Sequence, residues 1–249
     1  MKIVFHRDKI IDSTNLWAMK YINSTAENEL HVFCADFQTK GRGQGDHLWN
    51  SESGENILMS ILYKKPPIEV VNQFTISHII AVAAHNYISA ELTDKNISIK
   101  WPNDILIDNL KVAGILVENA LMGNKIMATV IGIGVNINQI NFGENLNSAV
   151  SLRMIDGKIR CVETEIKKLI NFFTESLNNF IELGIDKMHK LYDQRMFGIG
   201  TEQKFKLNDN IINCYIIGSE TNGQIRLRLP DGSEKSFYHH EISMCYNHV

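Results

Sequence analysis

Apolar and polar residues alternate along residues 2–6, the period of a half-buried strand. Asp12, Ser13, Thr14 and Asn15 then stand before the helical spacing Leu16, Met19, Ile22, so a helix is predicted to open there. Residues 31–37 and 56–63 have strand character and enclose a polar stretch, 38–55, that contains four glycines and is long enough to suggest function. Ile76, Ile79, Ile80, Ala83 and Ala84 give residues 70–92 the spacing of a long core helix, whose His78 and His85 are expected to pack or to face solvent.

From 97 to 138 the period returns to two, over 97–101, 105–107, 112–121 and 125–138, with turns at Asp108-Asn109 and Gly123-Asn124; this predicts a sequential antiparallel meander. Two helices follow, 162–183 and 185–196. After Phe197-Gly198-Ile199-Gly200 come short strands at 203–207, 211–218, 224–229 and 235–238, which predict a small β-barrel. The chain therefore reads as α+β, with a larger unit over 1–196 and a smaller one over 197–249.

Composition changes this picture little. The 249 residues, 44% hydrophobic and 21% charged, suit a globular chain. No run approaches the roughly 18 apolar residues of a membrane span and no secretory signal opens the chain, so a cytoplasmic location is expected. Cys34, Cys161, Cys214 and Cys245 are too widely spaced for a Cys-x-x-Cys pair and suggest neither disulfides nor zinc. A net charge of −3 argues against general nucleic-acid affinity.

Four clusters could carry chemistry. In Gln38-Thr39-Lys40-Gly41-Arg42-Gly43-Gln44-Gly45, ending at Asp46-His47-Leu48-Trp49, alternating glycines let backbone approach an anion while Arg42 offers paired donors; a mobile surface loop is an equal reading. It is not a P-loop, because no Gly-Lys-Ser/Thr follows. Lys100-Trp101-Pro102-Asn103-Asp104 could bind a base edge through Asn103 and a magnesium ion through Asp104, although a plain turn with a buried Trp is the simpler reading. Lys111 opens the apolar run Val112-Ala113-Gly114-Ile115-Leu116-Val117-Glu118 and could stabilise a phosphate, or point into solvent. Gly132 and Gly134, within Gly-Ile-Gly-Val-Asn136, suggest close approach of a ligand or another backbone.

In this order the clusters resemble the biotin-protein ligases, over residues 1 to about 155 and, by domain type, at the C-terminal end. The resemblance implies a mixed sheet related to class II aminoacyl-tRNA synthetases, followed by an SH3-like barrel. Biotin contacts would come from Ser13, Thr14, Asn15, Gln38, Gly41, Arg42 and Lys111, with Gly114, Gly132 and Gly134 thinning the wall. Arg42, Gln44, Trp49, Trp101, Asn103, Lys111 and Asn136 would serve ATP. Arg42, Lys111 and Asp104 would be catalytic, with Asp104 also the candidate Mg2+ ligand or proton acceptor.

The implied reaction joins biotin to ATP as biotinyl-AMP and then to a lysine of a biotin carboxyl carrier protein. A carboxylate is already an anion at neutral pH, so its activation needs alignment and charge neutralisation rather than a general base. Two departures stand out: Gln44 where many members carry a second arginine, and too few residues before Asp12 for the helix-turn-helix of some members. The first puts tight retention of biotinyl-AMP in question, and the second predicts no operator binding. Exposed sheet edges leave a homodimer open. The rivals are a lipoate or octanoate ligase and a non-catalytic biotin sensor.

Overall fold

The structure, a computed structural model, describes residues 1–45, 47–143 and 148–245; Asp46 of the glycine loop lies outside them. A seven-stranded mixed sheet runs in the order β1-β2-β3-β7-β6-β5-β4: β1 Lys2–Ile11, β2 Glu29–Gln38, β3 Asn56–Lys64, β4 Ile97–Lys100, β5 Asp104–Ile107, β6 Leu110–Met122 and β7 Lys125–Asn136. The predicted meander is strands β4 to β7, each antiparallel to the next. Its tight turns are left-handed at Asp108 (φ 44) and Asn109 (φ 70), a conformation that short Asn and Asp side chains tolerate. Strands β1 and β2 are parallel, a pairing made possible by the crossover through helix α1, Thr14–Met19.

The two faces of the sheet have different tasks. Against one lie α2, Phe74–Glu91, and α4, Val162–Asp193, and the buried side chains Ile79, Ile80, Tyr87, Ile131, Leu169 and Phe173 form the main core between them. The helical pattern of residues 162–196 is one run broken at Gly184 (φ 80, ψ −179), the residue that separates the two expected helices. On the opposite face a second apolar cluster of Ala18, Phe33, Leu62, Ala128 and Val130 seats α1, and beyond it that face is left to the site. Residues 70–72 form a separate 3-10 turn ahead of α2, and a short helix, α3 Leu152–Asp156, was not expected from the sequence.

The C-terminal strands β8 Glu202–Leu207, β9 Asn210–Ser219, β10 Ile225–Arg228, β11 Glu234–Phe237 and β12 Ile242–Met244 make a five-stranded antiparallel sheet in the order β11-β10-β9-β8-β12. Phe205, Ile216 and Leu227 belong to the same continuous apolar cluster as the main core. Trp101 reaches across to this sheet, its Nε1 donating to Gly223 O at 3.0 Å. The four cysteines are free. Among the described residues no helix is long and apolar enough to cross a membrane.

Candidate active site

A cavity of about 720 Å³ opens on the α1 face of the large sheet. It gathers Ser13, Thr14, Asn15, Gln38, Arg42, Gln44, Trp49, Trp101, Asn103, Asp104, Lys111, Gly114, Gly132 and Gly134, segments far apart in the chain. Two expected residues are not on its wall. Gly41 lies behind it, where a Cβ would collide with the Trp49 carbonyl. Asn136 is buried, its amide donating to Val150 O at 3.0 Å, and so braces backbone.

The floor is a polar chain. Gln38 Oε1 accepts from Thr14 N at 2.7 Å and from Thr14 Oγ1 at 3.1 Å, and the Ser60 hydroxyl, with one proton to share, lies 2.7 Å from Thr14 Oγ1 and 2.5 Å from Asn15 Oδ1. Asn15 Nδ2 donates to Leu116 O at 3.3 Å and to Glu118 Oε2 at 2.7 Å. Asn15 can lie flat because Gly132 is beneath it: Gly132 pairs with Ser60 on one side and Leu116 on the other, the two neighbours that Asn15 bonds. One strand pair along, Gly114 faces Gly134, and the side-chain-free window they make holds the Trp49 indole. Trp49 Nε1 is buried there without a hydrogen-bond partner among the described residues, a donor left open for a ligand.

The two sides of the glycine segment pair with each other. Arg42 bridges Leu48, Gly43 N donates to His47 O at 2.8 Å, and Trp49 N donates to Gly41 O at 3.0 Å. This pairing sets Arg42 over the pocket, its Nη1 against Glu118 at 3.0 and 3.2 Å. Lys111 is brought to the same wall by an irregularity in the β5–β6 register between Ile105 and Leu106. With that extra residue Lys111 lies beside the position of a Gly114 Cβ, its Nζ 3.4 Å away, instead of turning from it. Lys111 Nζ sits 2.6 Å from Asp104 Oδ1 and 5.8 Å from the centre of the Trp49 ring. Asn103 Nδ2 donates to Ile115 O at 2.8 Å, which pins the turn to β6.

Asp104 is the only carboxylate among the described residues of the wall, and those residues hold no group of three or more His, Cys, Asp or Glu side chains suited to a metal. One carboxylate is nevertheless what a magnesium ion carried by nucleotide phosphates requires of a protein. Sequence reasoning gave no role to Ser60 or Glu118, nor to the contribution of the second sheet. His239, His240, Ile242, Ser243 and Met244 line the cavity from the turn after β11 and from β12. Partial burial and the neighbouring His240 hold the His239 imidazole below its ordinary pKa. Only the fold brings that sheet over the site, so no local signal marked these residues.

Cations, a glycine-thinned wall and a donor with no described partner converge where a flat or anionic ligand would lie, an arrangement suited to an enzyme that works by aligning and neutralising its reactants. The sequence profile of the Biotin/lipoate A/B protein ligase family matches residues 8–136, just over half of the chain. The chain is 29% identical over 233 residues to the bifunctional ligase/repressor BirA of Bacillus spizizenii, covering 92% of this chain and 70% of that protein. It is 31% identical over 127 residues to the biotin–[acetyl-CoA-carboxylase] ligase of Paracoccus denitrificans, 51% of each. The solved biotin protein ligase from Aquifex aeolicus in complex with biotin and ATP superposes with a TM-score of 0.77 at 25% identity, over 98% of this chain and 99% of that one. This chain belongs to the Biotin/lipoate A/B protein ligase family.

Proposed function

We propose that the chain is a biotin-protein ligase that forms biotinyl-5'-AMP from biotin and ATP and transfers the biotinyl group to a lysine of a biotin carboxyl carrier protein. The observation that carries this reading is the meeting of Arg42 and Lys111 on one glycine-thinned wall above the Ser13-Thr14-Asn15 floor. In the first step a biotin carboxylate oxygen attacks the α-phosphorus, and pyrophosphate leaves with the bonding pair. Arg42 and Lys111 offset the charge that crowds there; Lys111 turns from Asp104 toward phosphate, a short swing for a four-carbon stem. Thr14, Asn15 and Gln38 hold the biotin head. The Trp49 and Trp101 rings and Asn103 border the nucleotide end, with Gln44 as a further polar contact.

Magnesium would accompany ATP on its phosphates, with Asp104 as its one protein ligand, and would supply further neutralisation. In the second step the neutral amine of the carrier lysine attacks the biotinyl carbonyl carbon and AMP departs. An ordinary lysine has a pKa near 10.4, so its proton must be accepted as the bond forms. Asp104, the one carboxylate among the described residues of the wall, takes that part once Lys111 has moved, as the alternative to holding the metal. Residues 1–196 form the catalytic domain and 197–249 the smaller one. The enzyme works in the cytoplasm, and pairing through a free sheet edge would give a homodimer.

Incubation with biotin, ATP, magnesium and a biotin carboxyl carrier domain tests the proposal, read as the mass of the carrier. A mass gain of one biotinyl group is expected. No gain, or a gain only when lipoate replaces biotin, overturns it.

A further inference from the structure

Glu118 closes the apolar run of β6, where Gly114, Leu116 and Glu118 succeed one another on the cavity face. Its side chain is 23% exposed and its two oxygens meet two donors from distant segments. Arg42 Nη1, from the glycine loop, is 3.0 Å from Oε1 and 3.2 Å from Oε2, and Asn15 Nδ2, from the first turn of α1, is 2.7 Å from Oε2. Among the described residues Arg42 makes its hydrogen bonds through Nη1 alone, so Nη2 and Nε have no described partner. The Asn15 amide is likewise oriented at both ends, with Ser60 donating to its oxygen and Glu118 accepting from its nitrogen.

We propose that Glu118 is a positioning residue of the ligase: a single carboxylate sets the Arg42 guanidinium and the Asn15 carboxamide together, so that the acid substrate meets an arginine already held in place. The identity of that acid as biotin rests on the function proposed above. The pair is too exposed to matter much for stability, since Arg42 is 40% exposed and surface ion pairs contribute little. Its effect lies in holding a long side chain on a glycine-rich segment in one rotamer before the ligand arrives.

The chemistry makes glutamate hard to replace here. Both partners are donors, so the site needs two acceptor oxygens. Glutamine has one oxygen and one NH2, which must face either Arg42 or Asn15, and a flipped Asn15 would lose its bond from Ser60. Aspartate keeps the charge and both acceptors on a stem one methylene shorter.

The experiment is calorimetric titration with biotin of the wild type, Glu118→Gln, Arg42→Ala and the double variant, with Glu118→Asp alongside. Glu118→Gln is expected to weaken biotin about tenfold, a difference of about 1.4 kcal/mol. Most of that loss should vanish in the Arg42→Ala background, because the carboxylate acts through the arginine. Glu118→Asp should recover part of the affinity, and it replaces Glu118→Gln in the cycle if the latter does not fold. Wild-type affinity in Glu118→Gln, or fully additive losses in the double variant, overturns the role of Glu118. Absence of biotin binding by the wild type overturns the ligase reading itself and this inference with it.

Discussion

Gly132→Ala tests the floor of the cavity with a single methyl group. A Cβ at Gly132 would collide with Asn15 Oδ1 and come within 2.9 Å of Asn15 Cγ and 3.0 Å of Nδ2. Gly132 is not among the positive-φ glycines, so alanine strains no dihedral and the whole effect is contact. Asn15 is 3% exposed and Ser60 fully buried, so the carboxamide cannot escape into solvent without giving up the bonds to Ser60 and Glu118. Overpacking of this kind costs about 1–3 kcal/mol of folding stability. A hydrogen bond to a charged group such as Glu118 carries about 1.5–3 kcal/mol.

If biotin binding depends on Asn15 standing in this position, affinity should fall on the order of 10- to 100-fold, the equivalent of about 1.4–2.8 kcal/mol. Calorimetric titration with biotin and thermal unfolding of the same samples measure both effects. The double variant Gly132→Ala/Asn15→Ala supplies the control: removing the carboxamide makes room for the methyl, so it should be more stable than Gly132→Ala while still binding biotin poorly. A Gly132→Ala protein that binds biotin within about twofold of wild type, or a double variant less stable than the single one, refutes the reasoning.

Three further outcomes follow from the structure. Arg42→Ala and Lys111→Ala should each lower biotin-dependent pyrophosphate exchange by about 10²–10³, the usual effect of removing one donor to developing charge. Their unfolding midpoints should stay close to wild type because both side chains are partly exposed; near-normal exchange would count against the assigned roles. Trp49→Phe removes the buried Nε1 that has no partner among the described residues, so the folded protein should be no less stable, whereas ATP affinity should fall; unchanged ATP affinity would show that the indole donor is not used. His78 is buried against His189 and Tyr192, and burial first, with His189 second, pushes its pKa down to about 3. The unfolded chain therefore takes up this proton near pH 6.5 while the folded one does not. That contribution to stability is complete above pH 6.5 and is lost as the pH falls toward 3, at up to about 1.4 kcal/mol per pH unit. Urea unfolding from pH 7 to 4 should show a shallower acid loss in His78→Phe than in wild type; parallel slopes would refute the assignment.

Much of this molecule is local, and what is local is legible in the chain. The turns at Asp108-Asn109 and Asn208-Asp209 announce themselves because their backbones need positive φ, which Asn and Asp accept. The break at Gly184 does so through the same preference in glycine. Periodicity exposes α4, which buries one face over many residues, whereas α2, buried all round over 78–84, shows itself by its length and apolar content. Five residues at α3, or three at β12, are too few for a period to emerge. The motif segments could be read as candidate ligand contacts one by one, but chemistry in a single segment never says what stands opposite it.

That second half belongs to the tertiary structure. The register irregularity between β5 and β6 decides that Lys111 shares a wall with Gly114, and strand order decides that Gly132 lies between Ser60 and Leu116 with Asn15 across them. Glu118 becomes an anchor only because the glycine loop folds back over β6, and His239 and His240 become part of the cavity only because the second sheet docks at its rim. Asn136, next to the same glycines in sequence, is instead turned to the backbone at Val150. Amino-acid order fixes which side chains carry charge, hydrogen-bonding capacity or open space. Distances between segments as far apart as residues 15, 42, 60 and 118 are set by how strands pair and sheets pack, a property of the whole chain at once.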